Sequence, residues 1–249
     1  MGSTSGLASE QGKQPLFSFG VISDVQYADI PDGYSFIGVP RYYQHSIQVL
    51  QRAVQKWNNH GMLKFVINFG DIVDGKCPRD ESLNAVKKVT NEFGKFNGPI
   101  YHMIVPLDGL NNPKTLEALE FLRSKNPNSE KNSPEGLLGL QRRFLMFNGA
   151  VGKNRWNDPG VSSPEALLWN YDEVMNVIHR YNCVKVCLSG HDHKGGYSID
   201  SHGIHHKSFE AALECPPGTD SFGYIEVYDN RLMLFGTDRM ESTDMSFSP

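Results

Sequence analysis

Residues 184–196 read V-K-V-C-L-S-G-H-D-H-K-G-G. A short apolar run stops at Ser189-Gly190, and two histidines follow, His191 and His193, with glycines on either side. Gly-His-x-His directly after a strand puts two imidazoles on a tight loop at the carboxyl edge of a sheet. Such a pair can turn toward one point or toward two neighbouring metal ions. Two upstream stretches share this layout. Residues 17–23 (F-S-F-G-V-I-S) lead into Asp24-Val25-Gln26, and residues 64–69 (K-F-V-I-N-F) lead into Gly70-Asp71-Ile72-Val73-Asp74-Gly75. Ligands of open α/β sheets collect outside the carboxyl ends of strands. Three strands thus end in metal-type residues, in the order D-x-Q (Asp24, Gln26), G-D-x-x-D-G (Asp71, Asp74) and G-H-D-H (His191, His193). Asp74 reads as a loop-holder that accepts bonds from backbone N–H groups. His45, His60, His102 and His179 fall within helix- or strand-like segments and read as structural. Of His205 and His206, alternation along a strand turns one inward.

The elements that must carry these loops follow from periodicity. Strands are expected over residues 16–23, 63–69 and 99–105, each a near-continuous apolar run of the kind buried on both faces. Ile47, Leu50, Val54 and Trp57 recur at helical spacing within 41–60, and Gly61 supplies a stop. Leu83, Val86, Val89 and Phe93 mark a second helix within 80–96. Strand-helix-strand units in succession imply parallel pairing through right-handed crossovers. Further helices are expected over 113–123, 135–147 and 165–181, the last two opened by Ser-Pro-Glu. After the His191 loop the period changes to two. Residues 196–199, 204–209, 222–228 and 231–236 read as antiparallel strands, with Asp229-Asn230 as a hairpin turn. Residues 1–15 read as a disordered N-terminus, 16–240 as a single domain and 241–249 as a polar tail.

Composition bounds the partners. The chain has 249 residues, 39% hydrophobic and 21% charged, enough for a sizeable core. A formal charge of −4 offers no basic face to nucleic acid. No apolar run reaches membrane-spanning length, so no membrane partner is expected. Residues 1–14 are Gly/Ser-rich without an apolar stretch, unlike a secretory signal. Gly6 stands where a myristoylation motif needs Ser or Thr. The four cysteines (Cys77, Cys183, Cys187, Cys215) lack a framework spacing and read as reduced thiols. A cytoplasmic monomer acting on a small molecule is expected.

The chain resembles the calcineurin-like metallophosphoesterases, and more closely the plant manganese-dependent ADP-ribose/CDP-alcohol diphosphatases. The residues that carry this are F-G-V-I-S-D-V-Q-Y-A-D, F-V-I-N-F-G-D-I-V-D-G, N-P-N-S-E-K-N-S-P-E-G-L, C-L-S-G-H-D-H-K-G-G-Y and E-A-A-L-E-C-P-P-G-T. The resemblance runs from Phe17 to about Asp244. It implies an α/β (α+β) fold: a sandwich of two mixed sheets flanked by helices, with a two-metal site on loops at the strand ends. It also implies roles. Asp24, Gln26 (where the family usually has His), Asp71 and His193 match the first metal site. Asp71 matches the carboxylate shared by both ions, and His191 a ligand of the second. Tyr34, Phe36 and Cys215 match regions near the nucleotide pocket. The implied cofactors are two divalent ions, Mn²⁺ foremost, with Zn²⁺, Fe²⁺ or Mg²⁺ as alternatives. The implied reaction is hydrolysis of the pyrophosphate of ADP-ribose, CDP-choline and related nucleotides, with Asp71 and His191 as catalytic residues.

Two family boxes are missing from the sequence. After Y-H-M-I the family has Gly-Asn-His, which includes its catalytic histidine, whereas here Val105-Pro106-Leu107 follows. A Gly-His-x-Pro box is likewise absent near 153–161. The second metal site is thus expected to be incomplete. Two other readings stay open: a catalytically impaired metal- or nucleotide-binding member, and a phosphoesterase of proteins or cyclic nucleotides.

Overall fold

A computed structural model describes residues 14–103, 113–125, 144–147, 171–181 and 183–248. Its first sheet has β1 (Phe17–Ile22), β4 (Leu63–Asn68), β5 (Ile100–His102), β10 (Phe222–Val227), β11 (Arg231–Gly236) and β12 (Thr243–Ser246), in the order β12-β11-β10-β1-β4-β5. β1, β4 and β5 run parallel, and β10 to β12 extend the sheet antiparallel from β1. The second sheet has β6 (Phe144–Phe147), β7 (Val186–Ser189), β8 (Gly196–Ile199) and β9 (His205–Ser208), in the order β6-β7-β9-β8. β2 (Gly33–Tyr34) and β3 (Pro40–Arg41) form a small hairpin.

Strand alternation sorts the core into layers. Phe19 and Val21 of β1, and Phe65 and Ile67 of β4, face Val186 and Leu188 of β7 and form the filling between the sheets. Phe19 and Phe65 stack there with centroids 5.0 Å apart. Ile22 and Val66 point the other way, into a core shared with α1 (Ser46–His60), α2 (Ser82–Phe93) and α3 (Pro113–Ser124). The four apolar residues read from the spacing of α1 are all buried, and Gly61 ends the helix in the left-handed region (φ 72°). Fully burying a side chain such as Leu50 contributes about 1.5–3 kcal/mol. On the outer face of the second sheet, α4 (Tyr171–Arg180) packs Met175 and Ile178 on Val184, Cys187 and Ile204.

Several expected elements are corrected. The first helix starts at Ser46, because Pro40 and Arg41 pair with Tyr34 and Gly33, and Tyr42 N–H bonds to Leu213 O at 3.0 Å. Residues 144–147, read as the end of a helix, are strand β6. Four apolar residues suit either period, and the open edge of β7 claims their backbone groups. β9, read as antiparallel throughout, pairs antiparallel only with β8 and runs parallel to β7. The polar tail is not a tail: β12 adds to the sheet edge and buries Met245 completely. His205 and His206 are both buried, where one was expected to face outward. The expectations for residues 1–13, 104–112, 126–143 (most of the 135–147 helix), 148–170 and 182 lie outside the described residues, as do the segments proposed to be missing.

Candidate metal centre

The carboxyl ends of β1, β4, β7 and β9 share one edge of the sandwich, and the loops leaving them are laced by backbone bonds. Gln26 N–H reaches Asp71 O at 2.7 Å, and Tyr27 N–H reaches Ile72 O at 3.0 Å. Leu213 N–H bonds to Asp24 O at 3.0 Å, and Ala211 N–H to His193 O at 3.1 Å. Lacing tightens these turns enough to force unusual backbone. Asp24 (φ 52°), Gln26 (φ 40°), Asp71 (φ 45°) and His191 (φ 71°) all sit in the left-handed region. Glycine would sit there without strain. A residue that keeps a side chain there costs about 1–3 kcal/mol and marks a place where that side chain is needed.

These side chains meet. One ligand atom from each of Asp24, Asp71 and His191 lies within 4.8 Å of the others. His191 Nδ1 is 3.0 Å from Asp71 Oδ2, and the His191 N–H donates to Asp24 Oδ2 at 3.0 Å. The Ser23 hydroxyl also donates to Asp24 Oδ2. Asp24 Oδ1 and Gln26 Oε1 are buried without a hydrogen-bond partner, although His193 Nε2 makes a 3.5 Å ion-pair contact with Asp24 Oδ1. The carboxylates of Asp24 and Asp71, the amide oxygen of Gln26 and the imidazoles of His191 and His193, with Asp24 Oδ1 and Gln26 Oε1 orphaned, suit a divalent ion that takes oxygen and imidazole donors, so the residues fit manganese. Gly190 makes the approach close enough. A Cβ there would collide with Ser23 Oγ and lie 2.9 Å from Phe69 O.

The electrostatics agree. Burial favours the neutral acid at Asp24, but the facing His193 and the Ser23 hydroxyl prevail and hold its carboxyl below the ordinary range. Burial pushes Asp71 up, only partly offset by its bond to His191. That same bond raises His191. His193 is pushed up to about 10, because bonds to Asp24 and Glu214 overcome its burial. The paired carboxylates therefore favour positive charge at this site, which a dication can supply in place of the histidine protons.

Sequence reasoning missed the residues behind His193. Its Nδ1 is 2.9 Å from Glu214 Oε1, and Glu214 Oε2 takes a 3.2 Å bond from Arg239. This holds Nδ1 as the protonated nitrogen and leaves Nε2 for a metal, the usual carboxylate-histidine-metal arrangement. Glu214 lies within the E-A-A-L-E-C-P-P-G-T stretch, but its role shows only in the tertiary contact with His193, and Arg239 joins through Glu214. Asp74 holds its loop as expected, accepting Lys76 N–H at 2.8 Å, and also pairs with Arg41 at 3.1 Å. Asn68 Nδ2 sits 3.3 Å from His102 Nδ1, which burial holds down to about 4. Tyr34 and Phe36 are exposed on the β2–β3 hairpin, and Lys76 Nζ ties Tyr34 O to the Asp74 loop at 3.0 Å. Cys215 is fully buried in the helix-side core, and burial pushes its thiol up to about 12.

No protein-family model matches the chain. The chain is 54% identical to the manganese-dependent ADP-ribose/CDP-alcohol diphosphatase of Arabidopsis thaliana, over 93% of this chain and 97% of the relative. It is 49% identical to the Oryza sativa protein of the same name, over the full length of both. That alignment spans 320 positions against 249 residues here, so at least 71 positions of the relative (320 less 249) have no counterpart. Among solved structures, a dimetal phosphatase from Danio rerio superposes with TM-score 0.74 at 23% identity, covering 94% of this chain and all of that one. Yellow lupin purple acid phosphatase gives 0.56 at 12% identity, covering 95% and 55%. The fold is that of the dimetal metallophosphoesterases, and the chain belongs to the manganese-dependent ADP-ribose/CDP-alcohol diphosphatase family.

Proposed function

We propose that the chain hydrolyses the pyrophosphate bond of ADP-ribose, CDP-choline and related nucleotides, giving AMP or CMP and a phosphorylated remainder. The observation that carries this reading is the convergence of Asp24, Asp71 and His191 within 4.8 Å, beside the orphaned oxygens of Asp24 and Gln26. Manganese, when bound, supplies Lewis acidity toward phosphoryl oxygens and lowers the pKa of water. Asp24, Gln26 and His193 would hold the first ion, Asp71 would touch both, and His191 would serve the second. Glu214 keeps the His193 proton on Nδ1. The Gln26 amide oxygen favours harder ions, Mn²⁺ or Mg²⁺ over Zn²⁺, with Fe²⁺ between. Tyr34 and Phe36 offer exposed rings to a nucleotide base. The proposal includes a cytoplasmic monomer, which sedimentation and cell fractionation test. Among the described residues no helix is long and apolar enough to cross a membrane. AMP release from ADP-ribose should depend on Mn²⁺ and vanish in Asp71→Asn. Release that persists in that variant overturns the reading.

One observation favours a second, attenuated reading. Met103-Ile104 runs into Val105-Pro106 with no Gly-Asn-His, and the relatives align over more positions than this chain has. We place the missing segments at about 105–106 and 153–161. On this reading the second ion binds weakly and turnover is slow while nucleotide binding persists. A folded, manganese-loaded chain that binds ADP-ribose without releasing AMP supports it.

A further inference from the structure

A second group of ligand-type side chains lies at the other end of the second sheet. His191 leaves the carboxyl end of β7. The turn between β8 and β9 sits at its amino end, because Ile199 pairs with His205 and His205 pairs with Val186. Asp200 opens that turn. Its Oδ1 accepts the N–H groups of His202 (2.8 Å) and Ile204 (2.9 Å), which fixes the carboxylate. Its Oδ2 then faces His179 Nε2 of α4 at 2.9 Å and His206 Nε2 of β9 at 3.2 Å. The exposed His202 ring stacks on His179 with centroids 3.7 Å apart. Donor atoms of His179, Asp200 and His202 all lie within 4.8 Å of one another.

We propose that His179, Asp200 and His202, backed by His206, form a separate site for a borderline transition-metal dication such as Zn²⁺, which ties α4 to the β8–β9 hairpin. The donor set differs from that of the first centre in kind. Imidazoles outnumber carboxylates here, and imidazole suits Zn²⁺ better than Mn²⁺ or Mg²⁺. Two backbone N–H groups pre-orient the carboxylate, as partners behind a metal ligand do. An imidazole that faces a carboxylate shares a proton with it, and a dication can take that proton's place. His202 is exposed, and its ring can turn to present a nitrogen by giving up the 3.3 Å contact of its Nδ1 with Ser201 Oγ and loosening its stack on His179. The nearby Cys187 stays outside the set: burial first, then the Asp200 charge, pushes its thiol up to about 12, so it remains protonated. A tie here is useful because α4 otherwise rests on a small satellite cluster.

The test uses tag-free, metal-stripped protein carrying Asp24→Asn and Asp71→Asn to disable the first centre, with Co²⁺ as the spectroscopic probe. The expected result is uptake of one equivalent with the intense visible bands of low-coordinate cobalt, displaced by Zn²⁺ and not by excess Mn²⁺. His202→Gln in that background should weaken uptake by at least about tenfold. Because His202 is exposed, the substitution should leave the fold intact, which circular dichroism checks. No uptake, or uptake unchanged by His202→Gln, overturns the proposal. Should the doubly substituted background misfold, the otherwise unaltered chain saturated with Mn²⁺ is titrated with Co²⁺ with and without His202→Gln, and the same two outcomes decide.

Discussion

The metal centre has two unequal halves. On one side, the His193 side chain is only 10% exposed and lies between Asp24 and Glu214, with Arg239 behind. On the other, His191 is 40% exposed and its ring has one carboxylate partner among the described residues, Asp71. The residues are two apart in sequence. In the first half Asp24 and His193 are buried, and His193 is backed by Glu214 and, through it, Arg239. The second half has Asp71, which would touch both ions, and the more exposed His191 imidazole. A preorganised half should bind tightly and report on structure, while the loose half should limit chemistry.

The comparison can be broken most directly at Asp71, the residue both halves share. Asp71→Asn should lower manganese-dependent AMP release by on the order of 10³-fold or more, read from initial rates at saturating substrate. If one half suffices for chemistry, the loss will be far smaller. His191→Ala separates the halves: bound manganese, counted by electron paramagnetic resonance, should fall in the weak class and leave the tight class intact. Equal loss of both classes would mean that the halves are not independent.

Stability against acid can be read at His102, which ends β5 and lies beside Asn68 at the end of β4. Its pKa is held down to about 4 in the folded chain against an ordinary 6.5. The unfolded chain therefore binds more protons between these values, and stability falls as pH drops from 6.5 to 4. The contribution is at most about 3 kcal/mol. Urea unfolding across that window should show the fall, and His102→Gln should flatten it. Glu214→Ala tests the tight half. It should raise the manganese concentration for half-maximal activity about 10–100-fold, and Glu214→Gln, which keeps an acceptor, should recover most of that loss. Gly190→Ala has the smallest expected effect, destabilising by about 1–3 kcal/mol as the new methyl collides with Ser23. A neutral outcome in thermal melts would show that the His191 loop is looser than it looks.

Much of the first centre was legible because its signals are local. Asp24, Gln26, Asp71, His191 and His193 each follow an apolar run within a few residues, and such runs end at one edge whenever strands are parallel. The buried face of α1 was legible for the same reason, from spacing alone. Other features had no local signal. Phe144–Phe147 reads as helix or strand until β7 offers an edge. Thr243–Ser246 reads as polar tail until β11 pairs with it and Met245 is enclosed. The Cys215 motif resembles a pocket residue, yet the chain turns its side chain into the core.

The sequence by itself determined which strands exist at the centre of the fold and which residue types stand at their ends, because alternation and punctuation act over a few residues. Only the tertiary structure decided which of those residues are brought together and held in place. Backing for His193 comes from Glu214 and Arg239, tens of residues away, and the left-handed backbone at Asp24, Gln26, Asp71 and His191 persists because bonds between separate loops hold it. Desolvation and orientation are properties of a packed neighbourhood, and no stretch of chain encodes its neighbourhood alone.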